Sequence, residues 1–142
     1  MISFEFQTAC DFVPTIEHKQ WLKAVIRKEQ LIPGDILYLF CDDAYLLERN
    51  IQFLNHHTLT DIITFDQRVG NVVSGNIMIS LDRVKENAQK FAVSFEEELL
   101  RVIVHGTLHI CGYKDKSPEE AVVMRSMENV SLEMFHDKQF CK

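Results

Sequence analysis

His105 and His109 stand four residues apart near the end of an apolar stretch whose Phe95, Leu99, Val102, Ile103, Thr107 and Ile110 recur at helical spacing. Residues so spaced lie about one turn apart on the same helix face, and both imidazoles can reach one ion. Gly112 follows His109 by three residues, where a left-handed cap would end the helix and turn the chain back, and Asp115 follows three residues later. The pattern is H-x-x-x-H-x-x-G-x-x-D. A zinc site with three protein ligands keeps a fourth position open for water, as hydrolytic sites do and closed structural sites do not. A histidine pair alone also suits an ordinary buried helix; the glycine turn and the acid beyond it carry the metal reading. Cys111 projects from another side of the helix and reads as a small buried apolar residue.

This spacing resembles the zinc helix of metzincin-like enzymes, in which two ligands come from a helix and a third from beyond a glycine turn. Those proteases carry a general-base glutamate directly after the first histidine, and that position here is Gly106.

The elements that must position these ligands belong to a chain of 142 residues with 46% apolar content, which suits one domain over 1–142 with a substantial core. A formal charge of −6 argues against a protein that grips duplex through a broad basic face, while leaving room for a local basic groove. Cysteines at 10, 41, 111 and 141 form no C-x-x-C pair and suggest neither a disulfide framework nor a zinc ribbon. A reducing cytoplasm is the expected compartment. The first residues show no leader pattern and no apolar run approaches membrane length, so no membrane partner is expected.

Residues 2–7 alternate as a strand with one buried face. Pro14 opens a helical pattern through Ile16, Trp21, Leu22, Val25 and Ile26, expected to end near Pro33 and Gly34. A buried strand follows at 35–41, then a helix capped by Asp42 or Asp43. After the polar interruption 55–58, the runs 60–66 and 72–80 flank a turn signal at 69–71 and form an expected antiparallel hairpin. Gly75 marks a bulge or a close approach, either to a substrate strand or within the sheet. A helix through Val84, Ala88 and Phe91 precedes the histidine helix, which has a capping-box start at Ser94 and Glu97. The last helix opens with another capping box at Ser117 and Glu120 and carries Val122, Met124, Met127, Val130 and Met134, with the methionines read as core filling. The expected fold is α+β: a mixed sheet of about four strands with helices packed on it and the histidine helix near the centre.

The histidine stretch with Tyr113 behind Gly112, Glu120, Ala121 and Met124 of the next helix, the run 60–65 and the run 75–80 together resemble the YbeY family of bacterial metal-dependent endoribonucleases. The likeness runs in one order from about Asp35 to Glu128. It implies a zinc-dependent hydrolase of single-stranded RNA, with ribosomal RNA and the small ribosomal subunit as partners, active in 3′ end maturation and ribosome quality control. The family's third histidine corresponds to Asp115, whose carboxylate can complete a zinc site. A family arginine before the T-D strand corresponds to Leu54, with His56 or His57 either replacing its charge or standing as solvated loop residues.

The expected metal ligands are His105, His109 and Asp115, holding one zinc per chain, with manganese or another divalent ion as a competitor. Thr60, Asp61 and Gly75 are the expected substrate-binding residues. Gly106 cannot serve as a base, so a nearby carboxylate or water must take the proton. Arg68, Arg101, Lys114, Lys116 and Arg125 are either backbone contacts or solvated charges. Two other classes stand beside the nuclease: a zinc hydrolase of peptides or amides, and a non-catalytic ribosome assembly factor with a structural metal.

Overall fold

The structure, a computed structural model, describes residues 1–55 and 60–141. In chain order it contains β1 (Ile2–Phe6), α1 (Ile16–Lys28), β2 (Ile32–Cys41), α2 (Asp43–Leu54), β3 (Ile62–Asp66), β4 (Val72–Ser80), α3 (Leu81–Lys90), α4 (Phe95–Cys111), α5 (Pro118–His136) and a 3₁₀ turn at Gln139–Cys141. The four strands form one mixed sheet in the order β1-β2-β4-β3. The pairs β1–β2 and β2–β4 are parallel, whereas β3 is antiparallel to β4 and forms one edge. The fold is the expected α+β arrangement.

Period-two alternation divides the strands between two apolar layers. Ile36, Tyr38 and Phe40 of β2 and Val73, Ile77 and Ile79 of β4 join the main core with α1, α4 and α5. On the opposite face Cys41, Leu46 and Ile63 form a smaller cluster that Met78 and Phe65 complete, beneath α2. Helix α4 is the most deeply placed helix of the main layer: ten of its seventeen residues are buried. Its capping serine accepts from the Glu97 amide at 3.1 Å, and Gly112 at φ +116° ends it, so both expected ends hold.

Two contacts fix α4 on the sheet at the level of the histidines. The Tyr38 hydroxyl, fully buried, meets Thr107 Oγ1 at 2.6 Å, and Thr107 in turn donates to the Ile103 carbonyl at 2.9 Å. One residue earlier, Gly106 lets the helix backbone settle onto the strands. A Cβ there would stand 2.8 Å from Ile62 Cδ1 and 3.0 Å from Ile77 Cγ2. The position that carries a base in metzincin-like proteases therefore faces the sheet, with no room for a side chain.

Several expected boundaries move. Helix α1 starts at Ile16 after a capping box on Thr15, and stops at Lys28, well short of Pro33, because Gln30 adopts φ +61°. Strand β2 then begins at Ile32 and includes Pro33 and Gly34. Its register on β4 shifts between Pro33 and Ile36, and β1 pairs only from Ile36 onward, so the missing proline N–H falls at an irregular, one-sided stretch. Phe91 closes α3 as an exposed residue at 50%, and Val122 on α5 is 70% exposed, whereas Met124 and Met134 are buried. Cys111 is half-buried, its thiol pushed up to about 12 chiefly by burial.

Candidate metal centre

The turn at Gly112 returns the chain toward the helix face that carries both histidines. Asp115 Oδ2 lies 3.2 Å from His105 Nε2 and 3.4 Å from His109 Nε2, and the ligand atoms of these three residues lie within 4.8 Å of one another. The two rings stand nearly perpendicular, at 85°, with centroids 4.6 Å apart.

The far nitrogen of each ring is already engaged. His105 Nδ1 is 2.6 Å from Glu128 Oε2, and His109 Nδ1 is 3.0 Å from the Tyr113 carbonyl. A carbonyl only accepts, and so does an ionised carboxylate, so both Nδ1 atoms carry hydrogen and both Nε2 atoms turn their lone pairs toward Asp115. Two nitrogen lone pairs and a carboxylate oxygen facing one another suit a cation held between them, and this donor set fits a divalent ion of the zinc type. Burial would lower the His105 pKa, but the hydrogen bond and charge of Glu128, with Asp115 and Asp61, outweigh it and hold the pKa above the usual range.

Glu128, only 5% exposed, is itself held in place. Arg101 Nη1 donates to its Oε1 at 3.0 Å, and Arg125 Nη1 lies 3.5 Å from the same oxygen. Burial raises the pKa of this carboxyl, yet its bonds to His105 and Arg101 prevail and keep it below the ordinary range. Arg101 and Arg125 thus hold the carboxylate that orients His105. Arg68 donates to the Cys111 carbonyl at 3.0 Å, where it caps the end of α4 beside the metal turn.

Two cavities meet at this cluster. An open groove of about 710 Å³ runs along the edge strand β3, bordered by Thr60, Asp61, Thr64, Leu54 and Lys116, and reaches His105, His109 and Asp115. A second cavity of about 430 Å³ lies between α3, α4 and α5 and shares Asp61, His105 and Asp115 with the first. Thr60 and Asp61 therefore line the groove that reaches the candidate ligands, and Asp61 also borders the second cavity. Gly75 does not: its Cβ position is 2.3 Å from the Phe65 carbonyl and 3.0 Å from Ile110 Cδ1, so it permits close packing of β3, β4 and α4 away from the groove. Leu54, at the end of α2, borders the groove as an exposed apolar residue. His56 and His57 lie outside the described residues, and Lys114 is simply exposed.

The proximity of His105, His109 and Asp115 was legible from local spacing, but the residues that hold the two rings were not. Glu128 lies 23 residues after His105. Its signal is its phase: Met124, Glu128 and Leu132 recur every fourth residue on the buried stripe of α5, and an acid there needs a partner. Glu98, also buried, precedes His105 by two helical turns on the same face of α4.

Comparison with known proteins follows the same residues. The family model described as Endoribonuclease YbeY matches residues 4–136. A protein named Endoribonuclease YbeY from Flavobacterium johnsoniae is 52% identical over 139 residues, spanning 98% of this chain and 100% of that one. A Bacteroides fragilis protein of the same name is 43% identical over 136 residues, spanning 94% of this chain and 98% of its own. The solution structure of a Thermotoga maritima protein superposes with a TM-score of 0.63 at 25% identity, covering 100% of this chain and 96% of that one. Because the matched span takes in the histidine helix, the acid beyond its glycine turn and the strand bordering the groove, the chain belongs to the YbeY family.

Proposed function

We propose that this protein is a zinc-dependent endoribonuclease that hydrolyses single-stranded RNA, with residues 1–142 acting as one hydrolase domain. The observation that carries the reading is the convergence of His105 Nε2, His109 Nε2 and Asp115 Oδ2 at the head of an open groove along an edge strand. A divalent ion held by His105, His109 and Asp115 would supply Lewis acidity for phosphodiester hydrolysis. The names carried by the relatives, Endoribonuclease YbeY, support RNA as the substrate.

The chain's own residues supply the rest. Glu128 and the Tyr113 carbonyl hold the Nδ1 protons and fix both imidazoles in the ligating tautomer. The proton from water needs an acceptor, and Gly106 is excluded by its packing on Ile62 and Ile77. Asp61 takes that role in this reading. Its carboxyl lies where the two cavities join, and burial raises its pKa, with His105 opposing, toward the range in which a carboxylate is a useful base. Lys116 at the groove margin provides a cation for the RNA backbone. The wide, open groove suits an unpaired strand.

The absence of a side chain at Gly106 disfavours the peptide-hydrolase reading, and a site with three ligating side chains among the described residues disfavours a closed structural metal. Small-subunit ribosomal RNA in a bacterial cytoplasm is the proposed substrate and setting; no helix among the described residues is long and apolar enough to cross a membrane. The test is cleavage of a labelled single strand. Chelation should abolish it, zinc or manganese should restore it, and Asp61→Asn should reduce turnover at least a hundredfold, in line with loss of a general base (about 10²–10⁴). Cleavage that persists through chelation and in His109→Ala would overturn the assignment.

A further inference from the structure

The cavity between α3, α4 and α5 contains a group that the metal site does not use. Glu98 lines it at only 6% exposure, and its carboxylate has no hydrogen bond or ion pair among the described residues. Burial raises its pKa, as expected of a carboxylate without donors; Arg101 opposes the effect without contacting it. Both guanidinium groups nearby, Arg101 and Arg125, are committed to Glu128. Carboxylates outnumber free cations in this space, so a phosphate is not its natural occupant. A second metal ion is not favoured either, because Glu98 belongs to no cluster of three ligating groups among the described residues.

What Glu98 lacks is a neutral partner with hydrogen-bond donors. The rest of the cavity describes the shape of that partner. Val102 and Met124 give it buried apolar walls, Asn87 adds an amide, and the half-exposed ring of Phe91 stands at its border. Apolar walls, an aromatic ring and a few polar groups suit a flat heterocycle, and about 430 Å³ falls within the range of small-ligand pockets. Asp61, His105 and Asp115 border both this cavity and the groove, so a strand whose phosphate lies at the metal cluster can turn an adjoining base inward.

We propose that this cavity is a base-reading subsite in which Glu98 accepts hydrogen bonds from the base of a nucleotide adjoining the cleaved phosphodiester, with guanine preferred. Guanine presents N1–H and N2–H₂ side by side, matching the two oxygens of one carboxylate; uracil offers one such donor between two acceptors. Single-stranded RNA exposes that edge and a face for stacking on Phe91. The inference rests on the RNA-cleavage reading and adds to it a preference that the metal cluster alone does not create.

The experiment maps cuts made by the zinc-loaded protein in uridine decamers carrying one central guanosine, adenosine or cytidine. It also measures binding of the same strands, by fluorescence anisotropy, to the protein held in chelator. Guanosine should be favoured about tenfold over uridine in both, the scale of one bidentate base contact. Glu98→Gln, which keeps size and replaces one acceptor with a donor, should lose that preference and shift toward adenosine. Phe91→Ala, at an exposed position, should weaken binding of the guanosine strand. Equal cutting and binding of all strands by the parent, or a guanosine preference intact in Glu98→Gln, would overturn the subsite while leaving RNA cleavage standing. Failure to cut any strand would remove the RNA reading and the subsite together. Two zinc ions per chain, with one lost in Glu98→Gln, would make the cavity a cation site instead.

Discussion

Replacing Gly106 by alanine tests why the histidine helix has no glutamate after its first ligand. At an open helix position the change stabilises by about 0.8–1 kcal/mol, because glycine has the greater freedom to lose. Here the added methyl would stand 2.8 Å from Ile62 Cδ1, 3.0 Å from Ile77 Cγ2 and 3.2 Å from Ile77 Cδ1. Overpacking of a filled core costs about 1–3 kcal/mol, so the net change should be a loss of about 1 kcal/mol. Urea unfolding measures it through Trp21, the chain's single tryptophan and fully buried. Ile62→Val removes the nearest obstructing carbon, and the double variant should recover about 0.5–1 kcal/mol relative to additivity. Gly106→Glu should fail to reach the native state, since a carboxylate would be forced into the apolar layer. A Gly106→Ala protein more stable than the parent by about 1 kcal/mol would refute the packing argument.

Glu128→Gln keeps the side-chain shape but removes the charge between Arg101 and His105, and should weaken zinc binding about 10–100-fold in a chelator competition; unchanged affinity would reduce Glu128 to a packing residue. Asp115→Ala should lose zinc sharply, while Asp115→His retains it and disfavours manganese; parent-like affinity in Asp115→Ala alongside loss in His105→Ala would place the third ligand elsewhere. His18 should make stability pH-dependent. Its pKa is lowered by burial, with Glu96 and Glu17 opposing, so protonation favours the unfolded chain. Its contribution is complete above the unfolded value of 6.5 and is lost as pH falls toward the lower folded value. His18→Gln can keep an acceptor for the Thr15 amide at the start of α1 and should show a shallower loss of urea stability between about pH 7 and 5.5; parallel slopes would contradict the assignment.

The uneven legibility of this fold in its sequence follows from the range of each interaction. Helix α4, its caps and its three candidate ligands are local: spacing, a serine cap and a glycine at φ +116° determine them within about 20 residues. The hairpin of β3 and β4 and the presence of β1 were legible for the same reason, although β1 grades from buried Ile2 to exposed Phe6 and does not alternate. Pro33 and Gly34 misled because their meaning is set by neighbours distant in sequence. Pro33 falls at the β2–β4 register shift, and Gly34 lies where a Cβ would meet Ser74 and the Val73 carbonyl. Gly75 was ambiguous for the same reason, and of its two open roles the structure shows close packing against Phe65 and Ile110.

Two buried acids, Glu128 behind His105 and Glu98 in the neighbouring cavity, carry a signal in their helical phase. Both Glu98 and Glu128 interrupt otherwise apolar stripes, one on α4 and one on α5, and each is buried. A carboxylate is not carried into a core without a partner, so its phase on a helix is a statement about some other residue. For Glu128 the partners are His105 and Arg101, and the acid becomes intelligible once α5 packs on α4. For Glu98 the fold brings no partner among the described residues, although it brings a cavity. The same physical demand that explains the first acid is met for the second by the open cavity, which admits a donor from outside the chain beside Asp61, His105 and Asp115.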